Sequence, residues 1–169
     1  MQRTITKLFN KKNNRAFIIA EVGQSHEGSL EMAHAFVDAV ATTGVDAIKF
    51  QTHIASAEST LDENFRIKMS GQDKTRYDYW KRMEFSKEQW EGLKLHAEEL
   101  GLIFLSSPFS IEAVELLNDI SVSAWKIGSG EILNYELLNS IIKTKKPIML
   151  STGMSSLDEI DNAVSYLRN

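Results

Sequence analysis

Short apolar runs alternate with amphipathic segments along almost the whole chain. Continuous apolar runs of about four to eight residues are typical of strands buried on both faces of a parallel sheet. Segments with apolar residues at helical spacing follow these runs, and each one begins after a residue that can cap a helix. The pattern therefore predicts five strands, each followed by a helix, at residues 16–22, 47–51, 102–105, 124–127 and 148–150.

Capping residues mark where the predicted helices begin. Ser and Asn side chains accept hydrogen bonds from the free N–H groups of a first helical turn. A Gln or Glu three residues after the cap completes a capping box, as at Ser86 with Gln89 and at Ser156 with Glu159. The other predicted caps are Ser29, Ser110 and Asn134.

Residues 53–84 interrupt this alternation. The segment is long, polar and rich in Ser, Asp and Lys, so we expect a loop, and loops of this length are usually functional or disordered. An aromatic cluster lies near its end, at Tyr77, Tyr79 and Trp80. The sequence leaves open whether this cluster is a lid over a site or packing that holds the loop to the sheet.

Five successive strand-then-helix units imply right-handed crossovers and a parallel sheet. A doubly wound sheet and a TIM (β/α)₈ barrel both satisfy this order. We favour the barrel because polar residues fall at successive strand ends, which gather around one mouth only in a barrel. Eight units are needed for closure, and exposed sheet edges favour aggregation. We therefore expect residues 1–169 to be the first five units of a barrel, unless the chain closes with a partner.

Composition and charge narrow the function classes. With 43% hydrophobic and 25% charged residues the chain is expected to fold, and the absence of Cys excludes disulfides and thiolate metal sites. The net charge of −4 gives no support for a nucleic-acid partner. Residues 1–15 are polar and basic, and neither a signal peptide nor a membrane span is expected, so we predict a cytoplasmic protein.

The strand ends carry groups that suit an anionic ligand. Ammonium groups, hydroxyls and Gly-flanked backbone N–H groups bind phosphate or carboxylate, while nearby carboxylates can move protons or help to hold a divalent cation. Any one lysine among them could equally be an ion-pair partner. The set comprises Glu21, Lys49, Gln51, Ser107, Lys126, Ser129, Glu131 and Ser151.

Histidines and tryptophans are weaker candidates. His26 and His53 are possible ligands or substrate contacts, whereas His34 and His96 are expected on the exposed surface of helices. Trp90 and Trp125 are expected in the core.

Five motifs occur in the order found in sialic acid synthases, and the chain resembles that family from about residue 17 onward. They are FIIAEVGQSHEG (17–28), DAIKFQT (46–52), SSPF (106–109), WKIGSGE (125–131) and LSTGM (150–154). YWKRMEFS (79–86) is similar to that family's loop before its second helix.

The resemblance implies a fold and a reaction. That family has a TIM barrel followed by a small antifreeze-like domain, and forms homodimers at full length. It condenses phosphoenolpyruvate with N-acetylmannosamine or a related amino sugar, giving a nine-carbon acid and phosphate, with Mn²⁺ or Mg²⁺. Matched by motif, Glu21 and Glu131 would be catalytic, beside the sugar and the reacting carbons. The residues matched to phosphoenolpyruvate contacts are Lys49, Gln51, Ser107, Lys126, Ser129 and Ser151.

The chain also departs from the family pattern. The family usually has Thr at Ser107, and Asn where this chain has Ser25 before His26. Its two metal-binding histidines come from later strands and one arginine from the antifreeze-like domain, so we expect no metal site within this chain and no activity from this part alone. Two alternatives stay open, a Schiff-base aldolase using Lys49 or Lys126 and a non-catalytic half-barrel that binds a ligand or partner.

Overall fold

The computed structural model describes residues 16–68 and 70–168, and all paired strands in that part of the chain are parallel. The basic segment at residues 1–15 lies outside the described residues. The strands are β1 (Ile19–Gly23), β2 (Ala47–Thr52), β3 (Ile103–Pro108), β4 (Trp125–Ile127) and β5 (Ile148–Leu150). The helices are α1 (Leu30–Ala41), α2 (Ala55–Glu58), α3 (Arg76–Met83), α4 (Lys87–Glu99), α5 (Ile111–Asp119), α6 (Tyr135–Ile142) and α7 (Leu157–Arg168), and a 3₁₀ turn covers Ser129–Glu131.

The predicted helix starts are confirmed. Each predicted cap accepts a hydrogen bond from a backbone N–H in the following turn. The reciprocal bonds of the two capping boxes are also present, from Ser86 N to Gln89 Oε1 at 2.8 Å and from Ser156 N to Glu159 Oε2 at 2.7 Å. No helix of the described residues is long and apolar enough to cross a membrane.

Residues 53–84 contain two helices, so the prediction of a loop throughout this segment is wrong. α3 begins at a capping box in which Thr75 and Asp78 exchange hydrogen bonds of 3.1 Å. The segment is polar overall, but Tyr79, Trp80 and Met83 of α3 are buried together against Ala55 of α2. Packing of these large side chains therefore supports helices that the average polarity of the segment conceals.

The strands form two hydrogen-bonded sheets. β1, β2 and β3 are neighbours in that order in one sheet, and β4 pairs with β5 in a second. β3 lies beside β4, so the two sheets are adjacent. The α/β class with parallel strands is thus confirmed, and each crossover between neighbouring strands carries at least one helix.

Alternate side chains of the strands face two different cores. The larger core lies between strands and helices and contains Phe50, Phe104 and Trp125, while Trp90 joins it from α4. Both tryptophans are fully buried, as predicted. The opposite face carries a smaller group that we name the inner cluster. Its members are Ala47, Ile103, Leu105 and Ala124, with Phe17, Ile19 and Met149 packed against them.

A turn after β1 anchors the end of α3. Gly28 has φ of +83°, and a Cβ placed on it would lie 2.2 Å from the backbone oxygen of Arg82. The guanidinium of Arg82 donates to the backbone oxygen of Glu27 at 2.7 Å and to Asp73 at 2.7 Å. Only glycine combines this left-handed conformation with so close a backbone approach. The turn thereby holds α3 beside the carboxyl ends of β1 and β2.

Candidate functional site

The predicted strand-end residues extend the face of the inner cluster. Because side chains of a strand alternate, residues two positions further along point the same way. Five of the predicted polar residues follow an inner-cluster residue by two or four positions. They are Lys49 and Gln51 after Ala47, Ser107 after Leu105, Lys126 after Ala124 and Ser151 after Met149. One face is therefore apolar near the start of the strands and polar near their carboxyl ends.

Lys49 links β1, β2 and β3. Its Nζ lies 2.5 Å from Glu21 Oε2 and donates to Ser107 Oγ at 3.4 Å. The register explains this meeting, since Glu21 pairs with Lys49 across β1 and β2. The lysine is only 5% exposed, whereas the Glu21 side chain is 53% exposed. A buried ammonium group is thus neutralised by a carboxylate that reaches it from the solvent side.

Lys126 supplies a second ammonium group from β4. Its Nζ donates to Ser151 Oγ, just after β5, and to the backbone oxygen of Ile127 at 3.1 Å. Burial lowers the pKa of Lys126 below its ordinary value, and the positive charge of Lys49 lowers it further, while Glu21 opposes both effects. Lys126 lies on the same face of the strands as Lys49, and the charges of Lys49 and Glu21 act on it in opposite directions. Two cations and one carboxylate leave a local excess of positive charge.

Gln51 and Glu131 border a cleft of about 540 Å³, a volume typical of small-molecule sites. The Glu131 carboxylate accepts a hydrogen bond from Asn134 Nδ2 at 2.8 Å. Ser129 begins the 3₁₀ turn that carries Glu131 and is partly buried. We call this space the cleft, and its lining residues are Gln51, His53, Ala57, Glu58, Arg76, Trp80, Phe109, Glu131 and Asn134.

Sequence reasoning missed the part of the cleft that α2 and α3 supply. Glu58 and Arg76 belong to the segment that we predicted as a loop. Arg76 donates to Glu63 Oε1 at 2.7 Å, and its guanidinium lies 5.6 Å from the centre of the Trp80 ring. The capping pair of Thr75 with Asp78 was the available signal that a helix begins here.

The two candidate histidines have different surroundings. His53 lines the cleft, whereas His26 is fully buried against Phe50 and Phe85. Burial lowers the pKa of His26 to about 4. Its Nδ1 accepts from the Gly28 backbone N–H at 3.1 Å, so His26 maintains the turn after β1 as a neutral ring.

The predicted surface histidines meet each other. His34 of α1 and His96 of α4 lie with their Nδ1 atoms 2.8 Å apart, and His96 Nε2 is 3.0 Å from Asp38. Both rings are partly buried, so the expectation of exposed residues is wrong. α1 packs on α4, and this long-range contact brings the two histidines together.

The aromatic cluster packs α3 onto the strand ends. Tyr79 and Trp80 are buried, and the Tyr79 hydroxyl donates to Gln24 Oε1 at 3.0 Å. Trp80 stacks on His53 with ring centres 3.8 Å apart. Of the two readings left open by the sequence, these contacts favour packing.

Metal ligands do not converge within residues 16–68 and 70–168. No three His, Cys, Asp or Glu side chains of this part lie close enough to hold a metal ion. Glu21 is engaged by Lys49 and Glu131 by Asn134. The donor sets present here therefore do not fit a divalent cation.

Known proteins resemble the chain over nearly its whole length. It is 35% identical over 156 residues to the N,N'-diacetyllegionaminic acid synthase of Campylobacter jejuni, covering 90% of this chain and 47% of that protein. It is 34% identical over 155 residues to the N-acetylneuraminate-9-phosphate synthase of Homo sapiens, covering 90% and 43%. An uncharacterized protein of Methanocaldococcus jannaschii is 39% identical over 158 residues, covering 94% and 44%. The chain thus spans less than half the length of these curated relatives.

Solved structures agree with this similarity. The N-acetylneuraminic acid synthetase of Leptospira borgpetersenii, crystallised with citrate, superposes with a TM-score of 0.78 at 31% identity, over 92% of this chain and 50% of that one. A truncated form of the 3-deoxy-D-arabino-heptulosonate 7-phosphate synthase of Thermotoga maritima shares the fold alone, at a TM-score of 0.63 and 16% identity, over 90% of this chain and 47% of that one. A family model described as the NeuB family matches residues 36–169. The chain belongs to the NeuB family, whose characterised relatives named here are sialic-acid-type synthases.

Proposed function

We propose that this chain is the N-terminal part of a synthase-type (β/α)₈ barrel, holding its first five units. Membership of the NeuB family and coverage of less than half of each curated relative support this proposal. The inner cluster adds a physical argument, because residues from both sheets pack together in it on one face. A closed barrel requires such a shared interior. Later units and an antifreeze-like domain would then lie beyond Asn169, and a homodimer and a cytoplasmic location stay predictions.

We further propose that the full protein condenses phosphoenolpyruvate with an N-acetylmannosamine-like amino sugar, giving a sialic-type acid and phosphate. One observation carries this proposal, the placement of two lysines on one face of the strands, near the carboxyl ends of β2 and β4. Lys49 and Lys126 leave an excess of positive charge that an anion would neutralise, with Ser107 and Ser151 as hydroxyl partners. Phosphate and carboxylate groups are the anions that such a set binds best. Gln51 and Ser129 complete the proposed phosphoenolpyruvate contacts.

In the proposed reaction the methylene carbon of phosphoenolpyruvate forms a bond to the aldehyde carbon of the open-chain sugar. The aldehyde oxygen gains a proton, and water adds to the neighbouring carbon of phosphoenolpyruvate with loss of one proton. The added oxygen then becomes the ketone oxygen as the carbon–oxygen bond to phosphate breaks, and its remaining proton leaves with the phosphate. Glu131, in the cleft, is the candidate proton donor to the aldehyde oxygen. Glu21, beside Lys49, is the candidate acceptor of the proton that the water loses. Fixed ammonium groups would stabilise the charge on phosphate as it leaves.

A divalent metal such as Mn²⁺ or Mg²⁺ would polarise the aldehyde, as the family resemblance implies. The described residues offer no converging ligands for it. We therefore assign no step of this chain's residues through the metal, and its ligands are expected from later strands.

Alanine substitution at the two lysines tests the proposal. Phosphate release from phosphoenolpyruvate is measured for the full gene product with N-acetylmannosamine and Mn²⁺, comparing Lys49→Ala and Lys126→Ala with wild type. We expect each variant to lose at least about 100-fold in kcat/KM, because a charged group is removed from a desolvated anion site. Lys143→Ala is the control, since this lysine is exposed after α6. Near-normal turnover in both lysine variants would contradict the site assignment.

The lowered pKa of Lys126 favours a second candidate function, that of a Schiff-base aldolase. A lysine whose pKa is lowered by burial and a neighbouring cation is suited to attack a carbonyl carbon. Borohydride reduction in the presence of substrate separates the two reactions. A covalent adduct mapped to Lys126 would favour the aldolase, and its absence together with phosphate release would favour the synthase.

A further inference from the structure

His53 is held rigidly at the border of the cleft. It follows Gln51 by two positions at the end of β2, where both residues line the cleft. Its ring lies between Trp80 and Phe109, with centres 3.8 and 4.2 Å away and planes inclined by only 6° and 11°. Two nearly parallel aromatic neighbours fix the plane of the imidazole.

Glu58 fixes which nitrogen of His53 carries the proton. Its Oε2 lies 2.7 Å from His53 Nδ1, and its Oε1 accepts from the backbone N–H of Ile54 at 2.8 Å. An ionised carboxylate can only accept, so Nδ1 must donate. In the neutral ring Nε2 is then left as an acceptor. The Glu58 carboxylate and the two aromatic rings thus hold the imidazole in one orientation, with the lone pair of Nε2 free to accept a hydrogen bond.

That remaining nitrogen has no partner within the described part of the chain. His53 Nε2 is buried and makes no hydrogen bond there. Burying a polar atom without a partner is unfavourable, so such atoms in native proteins usually bind a ligand or water. The cleft beside it is lined by amides, carboxylates, aromatic rings and Arg76, whose charge is paired with Glu63, and this lining suits a molecule with several hydroxyl groups.

We infer that His53 binds the amino sugar, and that its Nε2 accepts a hydrogen bond from a hydroxyl group of that sugar. This inference rests on the proposed function, because it names the sugar as the occupant of the cleft. Glu58 acts through His53 as a positioning residue. In the proposed function Lys49 and Lys126 bind phosphoenolpyruvate. Substitution of His53 should therefore change KM for the sugar more than KM for phosphoenolpyruvate.

The test measures the two KM values separately in the full gene product. His53→Phe keeps an aromatic ring between Trp80 and Phe109 but removes both nitrogens. We expect KM for N-acetylmannosamine to rise roughly tenfold, the loss of one hydrogen bond to a buried partner, while KM for phosphoenolpyruvate changes less than about twofold. Glu58→Gln should raise the sugar KM by a smaller factor, because the amide can still hold His53 but no longer fixes its tautomer. His96→Gln is the matched control, because His96 lies between α4 and α1 and does not line the cleft.

A spectroscopic titration covers the case in which a variant fails to fold. In wild-type protein with ¹⁵N-labelled histidine, saturating N-acetylmannosamine should shift the Nε2 resonance of His53 in the direction of an accepted hydrogen bond. Unchanged sugar KM in folded His53→Phe, or an unmoved Nε2 resonance, would overturn the inference. Failure of the proposed function has a different signature, since wild-type protein would then release no phosphate although the sugar titration could still be read.

Discussion

Gly28→Ala tests whether the turn after β1 determines where α3 lies. The new methyl group would meet the Arg82 carbonyl oxygen at 2.2 Å, much closer than unbonded atoms approach. The left-handed φ of +83° costs alanine about 1–2 kcal/mol. Relieving the overlap displaces the end of α3 and disturbs the Arg82 bond to Glu27, which costs about 1 kcal/mol more. We expect a loss of roughly 2–3 kcal/mol in the free energy of unfolding.

Gly44→Ala is the matched control. Gly44 has a similar φ of +77°, but a Cβ placed there meets nothing within 4 Å. Its loss should therefore be the conformational strain alone, and the change in unfolded-chain entropy is common to both variants. Equilibrium urea unfolding gives both values, with equal m-values required for the comparison. The reasoning is refuted if the two variants lose the same stability, because the close backbone approach would then contribute nothing.

Three further predictions concern a buried donor, acid stability and alkaline activity. Thr144→Val removes the acceptor of the Trp125 indole N–H, now 2.7 Å away, and should cost about 1–3 kcal/mol in urea unfolding; a change below about 0.5 kcal/mol would contradict it. His26 has a folded pKa of about 4 against an ordinary value of 6.5, so the unfolded state binds more protons between these values. Stability should fall as pH falls from 6.5 towards 4, by at most about 3 kcal/mol from this group, and His26→Gln should flatten that dependence relative to wild type. The lowered pKa of Lys126 should make kcat/KM for phosphoenolpyruvate decline at a pH below the ordinary lysine value of 10.5, and Glu21→Gln should move the decline lower still; an upward shift would contradict the assigned electrostatics.

The strand order and the strand-end face could be predicted because they depend on local spacing. Side chains of a strand alternate between its two faces, so Gln51 lies on the same face of β2 as Lys49. Parallel strands also bring their carboxyl ends to one edge of the sheet. Capping residues gave the helix starts for the same reason, since a cap bonds within its own turn. The meeting of Lys49 with Glu21 needed one more fact, the register of β1 against β2, which the sequence alone does not supply.

Features that depend on packing between distant segments could not be predicted. The composition of residues 53–84 indicates a loop, yet Trp80 is buried at one end of a stack in which His53 lies between it and Phe109. His34 was expected on the surface because its own helix gives no sign that α4 brings His96 against it. In both cases the deciding partner lies well outside a helical or strand repeat, so no local pattern could have shown it.

The charges along the inner face do not balance within the strands. Lys49 is nearly buried and is neutralised by Glu21, but Lys126 adds a second positive charge whose own pKa is depressed by burial and by Lys49. A protein selected for stability alone would replace such a pair, since a buried ammonium group gains little without full compensation. The inner cluster directly below is apolar and contributes no neutralising group. In the proposed function, a phosphorylated carboxylic acid supplies the negative charge that the strands lack, because its two anionic groups can each pair with one lysine.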